Sequence, residues 1–478
     1  RNPEPLRITE IVALTFTNKA ANEMKLRLRE RLQAYLGVEL EDELDGEPVS
    51  DADKKNQREV QSLIARYQLS KAELDRRVHD AIRNMERSDI GTIHSFAATL
   101  LRLYPLEAGV DPQFHEDDGR EFDRIFDEQW DLWLDQELAL TSSHAVEWRK
   151  ILGKLTLEPI KALAKSLSSE AVELHRDEPN PNAIAEPLRA WLNNLHARAT
   201  ALIEHHPEER MNEKLTRAAN DVIETFLRAG EIADPQIREA RALLAGKSIS
   251  RSLKGWSEDD IGAAQELVRA AKGLAQVDGA LTQLLWQLLA PFAEGFREHF
   301  VRQGFVSFDG LLMRARDLVR DRPRVRQELK RQYRSILIDE FQDTDPVQYE
   351  ILLYLAELPD TQAKDWRKVK LTPGKIFVVG DPKQSIYAFR RADIEAYLEV
   401  VEKIIKAQDG IECRLTTNFR SDGAILDVVN GAFAALIQAQ DGVQPPYIAI
   451  EPAPGRKSAG PSDRAKVTMR KIVALDDN

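Results

Sequence analysis

Short apolar runs that stop at polar residues recur along the chain, and each is followed by a stretch with helical periodicity. The clearest runs span residues 11–16, 335–338 and 376–379. Apolar runs of this length without polar alternation are typical of strands buried on both faces of a parallel sheet. The pattern therefore predicts an α/β domain, in which ligands bind at the carboxyl ends of the strands.

The second run ends at two adjacent carboxylates, Asp339 and Glu340. Neighbouring carboxylates at a strand end suit a hydrated Mg²⁺ with phosphate ligands, where one holds the metal and the other polarises a water molecule. The alternative is a strand that continues into a solvated loop. From these residues alone, both interpretations stay open.

The first run leads to Phe16, Thr17, Asn18 and Lys19, with Thr17 or Asn18 as the N-cap of a helix over residues 20–35. An aromatic ring, small polar groups and a cation could together stack on a base and hold phosphates. The alternative is a capped helix with a core phenylalanine. Taken by itself, this segment favours the alternative.

The next part of the chain combines a polar stretch with a second strand–helix junction. Residues 39–56 are predicted to form a surface loop and residues 57–85 a charged helix. Residues 90–93 then read as a strand, and Ser95 begins a helix. His94 lies between them, and a single histidine in such a place is more often structural than catalytic.

Residues 105–304 have helical patterns almost throughout, so we predict an inserted helical subdomain. One of its helices carries aromatic residues at three-and-four spacing, which indicates core packing and not a cofactor site. The apolar positions of that helix are Phe122, Ile125, Phe126, Trp130, Trp133, Leu134 and Leu138. Nothing in this region points to a function of its own.

The third run leads into a segment rich in aromatic and basic residues. Gly380 lets the backbone turn closely beside a ligand, and Gln384 can hydrogen-bond a phosphate oxygen or an attacking water molecule. A candidate nucleic-acid track follows, formed by Lys383, Tyr387, Phe389, Arg390 and Arg391.

A last strand–helix pattern spans residues 414–430 and has Phe419 and Arg420 at its junction. An arginine at a strand end can neutralise charge on a transferring phosphoryl group, and an aromatic ring can stack on a nucleobase. Carboxylates, a glutamine and an arginine at successive strand ends favour a nucleotide site over a purely structural arrangement.

Composition limits the possible partners and location. The chain has 478 residues, with 43% hydrophobic and 31% charged, which is typical of a soluble protein of more than one domain. Its net charge of −12 gives no overall attraction for nucleic acid, so binding would need a local track. No apolar stretch reaches the roughly 20 residues of a membrane helix. With the single Cys413 and no visible signal peptide, we expect a cytoplasmic protein.

Six segments in this order resemble the ordered motifs of superfamily-one DNA helicases of the UvrD/Rep type: TFTNKAANEM, GTIHSF, SFDGLL, DEFQDTD, VVGDPKQSIYAFRRAD and NFRS. The long insert, the sequence of residues 93–114 and the DEFQDTD variant resemble those of the RecB/AddA branch. This branch contains the helicase–nuclease subunits of double-strand break processing. The resemblance implies an α/β fold, namely an incomplete RecA-like parallel-sheet P-loop NTPase domain with a large all-helical insert.

The resemblance also implies a division of the chain. Residues 1–104 and 305–440 would form the two parts of the RecA-like domain, and residues 105–304 the insert. Residues 441–478 would be a linker and the first strand of a second RecA-like domain.

Roles in an ATP site follow from the same resemblance. Asp339 would coordinate Mg²⁺, and Glu340 would be the general base that activates water against the γ-phosphate of ATP. Gln384 would sense the γ-phosphate and couple it to DNA, and Arg420 would act as an arginine finger. Arg390 would join the same network.

The remaining residues implied by the resemblance contact bases. Phe419 would stack on adenine, where relatives often carry Tyr, and Phe389 stands where they often carry Trp. The single-stranded DNA track would comprise Phe16, Thr17, Asn18, His94, Ser95, Tyr387 and Phe389. Family members move 3′→5′ on single-stranded DNA, so single-stranded or partially duplex DNA is the implied partner, with a nuclease and a second subunit in the RecB/AddA branch.

One expected element is not found in this sequence. The phosphate-binding loop G-x-x-x-x-G-K-[ST] should precede residue 11, and residues 1–10 do not contain it. Without its backbone N–H groups and lysine, triphosphate affinity should collapse. We therefore expect the full-length protein to be an ATP-dependent DNA helicase of repair and recombination, and this stretch alone to be inactive.

Two other functions are compatible with parts of the sequence. A catalytically dead, helicase-like scaffold subunit would bind DNA or a partner, but the intact set Asp339, Glu340, Gln384 and Arg420 argues against decay. The unseen phosphate loop keeps this alternative open. A Mg²⁺-dependent phosphatase would use the paired carboxylates, but it leaves the aromatic and basic track unexplained.

Overall fold

The structure is a computed structural model that describes residues 5–38, 51–174, 186–207, 210–229, 235–250, 255–274, 279–385, 394–438 and 446–454. These residues form two compact units, one within Arg1–Phe114 and Gly310–Asn478 and the other within His115–Asp309. No helix among the described residues is long and apolar enough to cross a membrane.

Helices predominate along the chain, and short strands lie between them. The first part contains β1 (Ile11–Thr15), α1 (Asn18–Leu36), α2 (Asp51–Tyr67), α3 (Lys71–Arg83), β2 (Asp89–Thr92), α4 (Ile93–Leu103) and α5 (Pro105–Ala108). The middle contains β3 (His115–Asp117), α6 (Arg120–Glu137), α7 (Ala145–Leu152), α8 (Leu157–Ser168), α9 (Glu186–His205), α10 (Met211–Ala229), α11 (Pro235–Leu244), α12 (Glu258–Leu274), α13 (Gly279–Arg302) and β4 (Phe305–Ser307). The last part contains α14 (Phe308–Asp321), α15 (Pro323–Gln332), β5 (Ser335–Ile338), α16 (Pro346–Ala356), β6 (Ile376–Val378), α17 (Ile394–Glu399), β7 (Thr417–Asn418), α18 (Gly423–Leu436) and β8 (Glu451–Pro452).

A four-stranded parallel sheet organises the first unit, with the strand order β2-β1-β5-β6. Ala13 of β1 pairs with Ile90 of β2 on one side and with Leu337 of β5 on the other. Strands that are distant in sequence are thus neighbours, as in α/β folds with crossover helices. The predicted class, an α/β RecA-like domain with a helical insert, is confirmed.

The burial of the sheet differs from the prediction. Ile336 and Ile338 are 0% and 5% exposed, but Leu337 between them is 37% exposed, and Phe377 and Val379 are 61% and 42% exposed. Successive side chains of a strand point to opposite faces, and Leu337 and Phe377 are register partners on the same face. The prediction that β5 and β6 are buried on both faces is wrong, because the described residues cover this face incompletely.

The helix that follows β1 begins at Asn18, two residues before the predicted start at residue 20, and uses one of the two predicted N-cap residues. Thr17 is its N-cap, and its hydroxyl accepts a hydrogen bond from Ala20 N at 3.1 Å. At the next junction β2 ends at Thr92, which caps α4 by accepting from Ser95 N at 3.2 Å. The helix therefore begins at Ile93, two residues earlier than predicted, because the threonine supplies the cap.

The polar stretch after α1 contains more helix than predicted. Helix α2 begins at Asp51, inside the predicted loop, and ends at Tyr67. Gln68 has a positive φ of 53°, and Ser70 caps α3 by accepting from Glu73 N at 3.1 Å. The single predicted helix over residues 57–85 is thus two helices, separated by a local turn and a second cap.

The second unit is mainly helical, and the aromatic stripe of α6 packs in its interior as predicted. Phe126 and Trp130 are 0% and 2% exposed, and Phe126 packs edge-to-face against Phe296 of α13 at 5.5 Å between ring centroids. Leu138 is the exception at 42% exposed, because α6 ends at Glu137. A short parallel pair, β3 with β4, adds a strand component to the insert that was predicted to be all helical.

The boundaries of the units differ from the predicted divisions at 104/105 and 304/305. Helix α5 belongs to the first unit, where Arg314 donates to the carbonyl of Ala108 at 3.4 Å and Arg322 to that of Glu107 at 3.2 Å. Strand β4 belongs to the second unit because it pairs with β3. Long-range contacts of this kind leave no local sequence signal.

Candidate active site

Asp339 and Glu340 lie at the carboxyl end of β5, where both are exposed. Asp339 N donates to the carbonyl of Leu14 at 2.8 Å, which extends the pairing with β1 to the end of the strand. Glu340 has φ 53° and ψ 42°, a left-handed conformation that costs a non-glycine residue roughly 1–2 kcal/mol. The chain thus turns sharply at the second carboxylate.

The turn after β5 is bonded to the segment after β6. Phe341 N donates to the carbonyl of Val379 at 2.9 Å. Asp381 N donates to Gln342 Oε1 at 2.9 Å, and Ser385 Oγ donates to the carbonyl of Gln342 at 3.2 Å. These bonds hold the segment that carries Gln384 beside the turn that carries the two carboxylates.

Gln342 is at the centre of this arrangement and is 1% exposed. Its Nε2 donates to Glu340 Oε2 at 2.7 Å, and Asp343 Oδ2 lies 3.3 Å away. Burial raises the pKa of Asp343 and the charge of Glu340 adds to this, while the hydrogen bond from Gln342 opposes it. Asp343 Oδ1 is a buried oxygen without a hydrogen-bond partner in the described part of the chain.

Gly380 allows a close approach rather than the turn expected from the sequence. A Cβ at this position would lie 2.8 Å from Gln342 Oε1 and 3.3 Å from both Gln342 N and Phe341 N. Two of these atoms are backbone and cannot easily move. The glycine is therefore required by packing against the turn after β5.

The segment after β6 forms a 3-10 turn, Pro382–Gln384, organised by Asp381. Asp381 Oδ1 accepts from Lys383 N at 3.1 Å and is ion-paired with Lys383 Nζ at 2.8 Å, and Gln384 Nε2 donates to Oδ2 at 3.1 Å. Burial alone would raise the pKa of Asp381, but the bonds from Lys383 and Gln384 outweigh it and lower that pKa. Lys383, which was predicted to join the basic track, is thus paired within its own turn.

Arg420 and Phe419 follow β7, which does not belong to the four-stranded sheet. β7 pairs with β8 in a separate two-stranded parallel sheet. Asn418 Oδ1 accepts from Arg420 N at 2.9 Å and from Ser421 N at 2.7 Å, which shapes the turn. Phe419 is 71% exposed, so its ring is open to a stacking partner.

Residues of the predicted DNA track lie after two neighbouring strands. Thr15 of β1 and Thr92 of β2 are register partners, so the residues after them emerge at one edge of the sheet. These residues are Phe16, Thr17, Asn18, His94 and Ser95; Asn18 and Ser95 are exposed, while Phe16 and His94 are half-buried. Thr17 and Ser95 also take part in helix capping.

Some predicted site residues lie outside the described residues. They are Tyr387, Phe389, Arg390 and Arg391, together with most of the predicted linker and strand over residues 441–478.

The donor set at the end of β5 fits a magnesium ion that is bound together with a nucleotide. Among the described residues no group of three or more His, Cys, Asp or Glu side chains could hold a metal. Mg²⁺ in nucleotide sites uses only one or two protein carboxylates and takes its other ligands from phosphates and water. The exposed carboxylate of Asp339 suits this role, with Glu340 next to it.

Sequence reasoning did not single out Gln342, Asp343 or Asp381. Gln342 lies in the DEFQDTD segment, where a polar side chain between two residues of a turn gives no sign of burial. The available signal was the glycine before Asp381, since a glycine after a strand marks a close approach of two backbones.

Comparison with known proteins identifies the family of the chain. The UvrD/REP helicase N-terminal domain matches residues 3–404 of the chain. The chain belongs to this family. The family resemblance of the six ordered segments is thus confirmed.

Individual relatives are distant but extend over much of the chain. The AddA subunit of the ATP-dependent helicase/nuclease of Listeria monocytogenes serotype 4a is 24% identical over 494 residues, which cover 90% of this chain. The protein of the same name from Anoxybacillus flavithermus is 24% identical over 91% of the chain. DNA helicase II of Escherichia coli is 28% identical over 251 residues, or 46% of the chain and 32% of that protein. The chain spans about 36% of the length of the Listeria relative. The names of the first two agree with the predicted helicase–nuclease branch.

Proposed function

We propose that this chain carries the first motor part of an ATP-dependent DNA helicase that acts in DNA repair and recombination. The observation that carries the proposal is that hydrogen bonds join the segment after β5 to the segment after β6. Glu340, one of two adjacent exposed carboxylates after β5, is hydrogen-bonded through Gln342 to the segment that holds Gln384 after β6. Relatives named as helicases, which match most of the chain, support the same function.

In this proposal Asp339 holds Mg²⁺ and Glu340 acts as the general base. Bound Mg²⁺ would neutralise charge on the phosphates of ATP. The carboxylate of Glu340, fixed by the bond from Gln342 Nε2, would accept a proton from the attacking water molecule. Gln384 would contact the γ-phosphate with its uncharged amide. Arg420 would neutralise charge on the transferring phosphoryl group, Arg390 would join the same network, and Phe419 would stack on adenine.

The DNA-binding part of the proposal rests on the edge formed after β1 and β2. Phe16, Thr17, Asn18, His94 and Ser95, which follow these two strands, would contact single-stranded DNA, and Tyr387 and Phe389 would extend the track. Movement would be 3′→5′, as the family resemblance implies. A nuclease activity and a second subunit are part of the proposal for the whole protein, as suggested by the names of the relatives.

A phosphate-binding loop is the component that the described residues do not supply. Strand β6 is one of the two outer strands of the four-stranded sheet among the described residues, and Phe377 in it is 61% exposed. A further parallel strand beside β6 would end near Gly380 and could carry such a loop. For this reason we propose that residues 1–478 alone do not hydrolyse ATP, whereas the full-length protein does.

The test is ATP hydrolysis by the full-length protein, with and without single-stranded DNA, beside its Glu340→Gln variant. The proposal predicts hydrolysis that requires DNA and is lost in the variant, which keeps its fold because the side chain is exposed. DNA binding without hydrolysis in a well-folded full-length protein would refute the motor and favour a scaffold subunit. Hydrolysis of simple phosphate esters without DNA would favour a phosphatase.

A further inference from the structure

We propose that Gln342 is a positioning residue that sets the orientation of Glu340 according to the position of the segment after β6. This inference rests on the proposed function, since it gives Glu340 the role of general base. Gln342 itself is 1% exposed and lies behind the turn, so it acts on the reaction through Glu340.

The orientation of the Gln342 amide is fixed by its two neighbours. The backbone N–H of Asp381 can only donate, so the atom 2.9 Å from it must be the carbonyl oxygen. The ionised carboxylate of Glu340 can only accept, so the atom 2.7 Å from its Oε2 must be the NH₂ group. One amide orientation satisfies both, and the reverse orientation would satisfy neither. The side chain therefore works as a directional link between the two segments.

The link is tightly packed, so the two segments cannot shift independently. Even a methyl group at residue 380 would press against the Gln342 carboxamide, since a Cβ there would lie 2.8 Å from Gln342 Oε1. Glu340 is also in a left-handed conformation at φ 53°, which persists only when its surroundings fix it. The hydrogen bond from Gln342 is one of the contacts that can do so.

A consequence concerns the communication between Gln384 and the base. Gln384 donates to Asp381, and Asp381 N donates to Gln342. A ligand that binds Gln384 and moves the turn Pro382–Gln384 would change the length of the hydrogen bond from Asp381 N to Gln342. The hydrogen bond from Gln342 to Glu340 would then weaken or strengthen. Contact between Gln384 and the γ-phosphate would thus affect the orientation of the Glu340 carboxylate through one buried side chain, that of Gln342.

The test is a comparison of kcat and KM for ATP in the full-length protein with saturating single-stranded DNA. Gln342→Met keeps the volume of the side chain but removes both hydrogen bonds. Gln342→Glu keeps the acceptor for Asp381 N but places a second carboxylate against Glu340 and Asp343. We expect kcat to fall by roughly 10- to 100-fold in both variants, as for a misplaced catalytic group, with little change in KM and the larger loss in Gln342→Glu.

A matched control removes a neighbouring buried hydrogen bond without touching the link. Tyr349 OH donates to the carbonyl of Phe341 at 3.3 Å, in the same turn. Tyr349→Phe should leave kcat within a few-fold of the wild type, although it perturbs the turn as a purely structural residue would.

A second experiment keeps the inference testable if the Gln342 variants fold poorly. Gly380→Ala presses on the Gln342 carboxamide and should lower kcat in the wild-type background. Combined with Gln342→Ala, which makes room, the same glycine substitution should cost less, so that the two effects are not additive. Additive effects would show that Gly380 and Gln342 act separately and would overturn the link.

The possible outcomes distinguish failure of this inference from failure of the proposed function. An active wild type, an inactive Glu340→Gln variant and Gln342→Met with unchanged kcat would overturn the inference alone. An equal loss of kcat in Gln342→Met and Tyr349→Phe would show that Gln342 has only a structural role. This result would also overturn the inference. A wild type without DNA-dependent hydrolysis would instead refute the proposed function.

Discussion

Thr15 of β1 and Thr92 of β2 are register partners at the carboxyl ends of two neighbouring parallel strands. The segments that follow them, one with Phe16 and the other with His94 and Ser95, therefore emerge at the same edge. Sequence separation alone does not bring these residues together; the pairing of β1 with β2 does. This edge is the part of the sheet that we propose contacts DNA.

The first prediction concerns Phe16 at this edge. Phe16→Leu keeps an apolar side chain but removes the ring, so it should weaken single-stranded DNA binding by about 1–3 kcal/mol if the ring stacks on a base. Phe16→Tyr, which keeps a ring, should restore binding. Fluorescence anisotropy with a labelled oligonucleotide at fixed salt measures both. Unchanged affinity in Phe16→Leu would place the ring outside the DNA track.

Phe419 gives a prediction for nucleotide binding. The side chain is 71% exposed, so Phe419→Ala should leave stability almost unchanged while it raises KM for ATP by roughly 10-fold, because a stacking contact with adenine is lost. Phe419→Tyr should behave like the wild type. Steady-state hydrolysis by the full-length protein tests this, and an unchanged KM in the alanine variant would exclude the stacking role.

A buried charge cluster formed by α15 and the end of α16 predicts a large effect on stability. Arg326 Nη2 and Lys330 Nζ lie 2.5 Å and 3.1 Å from Glu357 Oε2, and all three side chains are about 1% exposed. Glu357→Ala would leave two buried cations without their anion, which costs about 3–5 kcal/mol. Chemical denaturation should show this loss. The exposed pair Arg324 with Glu328 is the matched control, because Arg324→Ala removes a surface ion pair worth only about 0–1 kcal/mol.

Lys375 gives a prediction for the pH dependence of stability. The side chain is 5% exposed and donates to the carbonyl of Lys330 at 2.9 Å. Burial, together with the charge of Lys330, lowers the pKa of Lys375 from 10.5 to about 8. Between about pH 8 and 10.5 the unfolded chain therefore binds more protons than the folded one at this site, and its contribution to the free energy of unfolding rises with pH.

The variant Lys375→Met removes this titration. Denaturation midpoints measured from pH 7 to 10 should show that the wild type gains stability relative to Lys375→Met as the pH rises. Curves that stay parallel across this range would show that Lys375 is charged in the folded protein throughout.

Local signals in the sequence predicted much of the first unit. The apolar runs predicted the positions of β1, β5 and β6. Because each run corresponds to a strand, the polar residues that follow the runs lie at the ends of the strands. The N-cap could be narrowed to Thr17 or Asn18 because a cap bonds to a residue a few positions away, here Ala20, which is a short-range relation. The aromatic stripe of α6 followed from helical periodicity in the same way.

Features that depend on distant contacts were not predicted. The burial of Gln342 depends on Asp381 and Gly380, which reach it only through the pairing of β5 with β6. The exposure of Leu337 and Phe377 depends on what covers one face of the sheet, which no local pattern shows. The three-residue strands β3 and β4 are too short to have a period.

The most direct test of the proposed motor is strand separation by the full-length protein on partially duplex DNA with a single-stranded 3′ or 5′ tail. The Glu340→Gln variant is the matched control, because it keeps an exposed side chain of the same size. The proposed function predicts ATP-dependent release of the strand from the 3′-tailed substrate by the wild type and none by the variant. Equal strand release by the variant, or release without ATP, would contradict it.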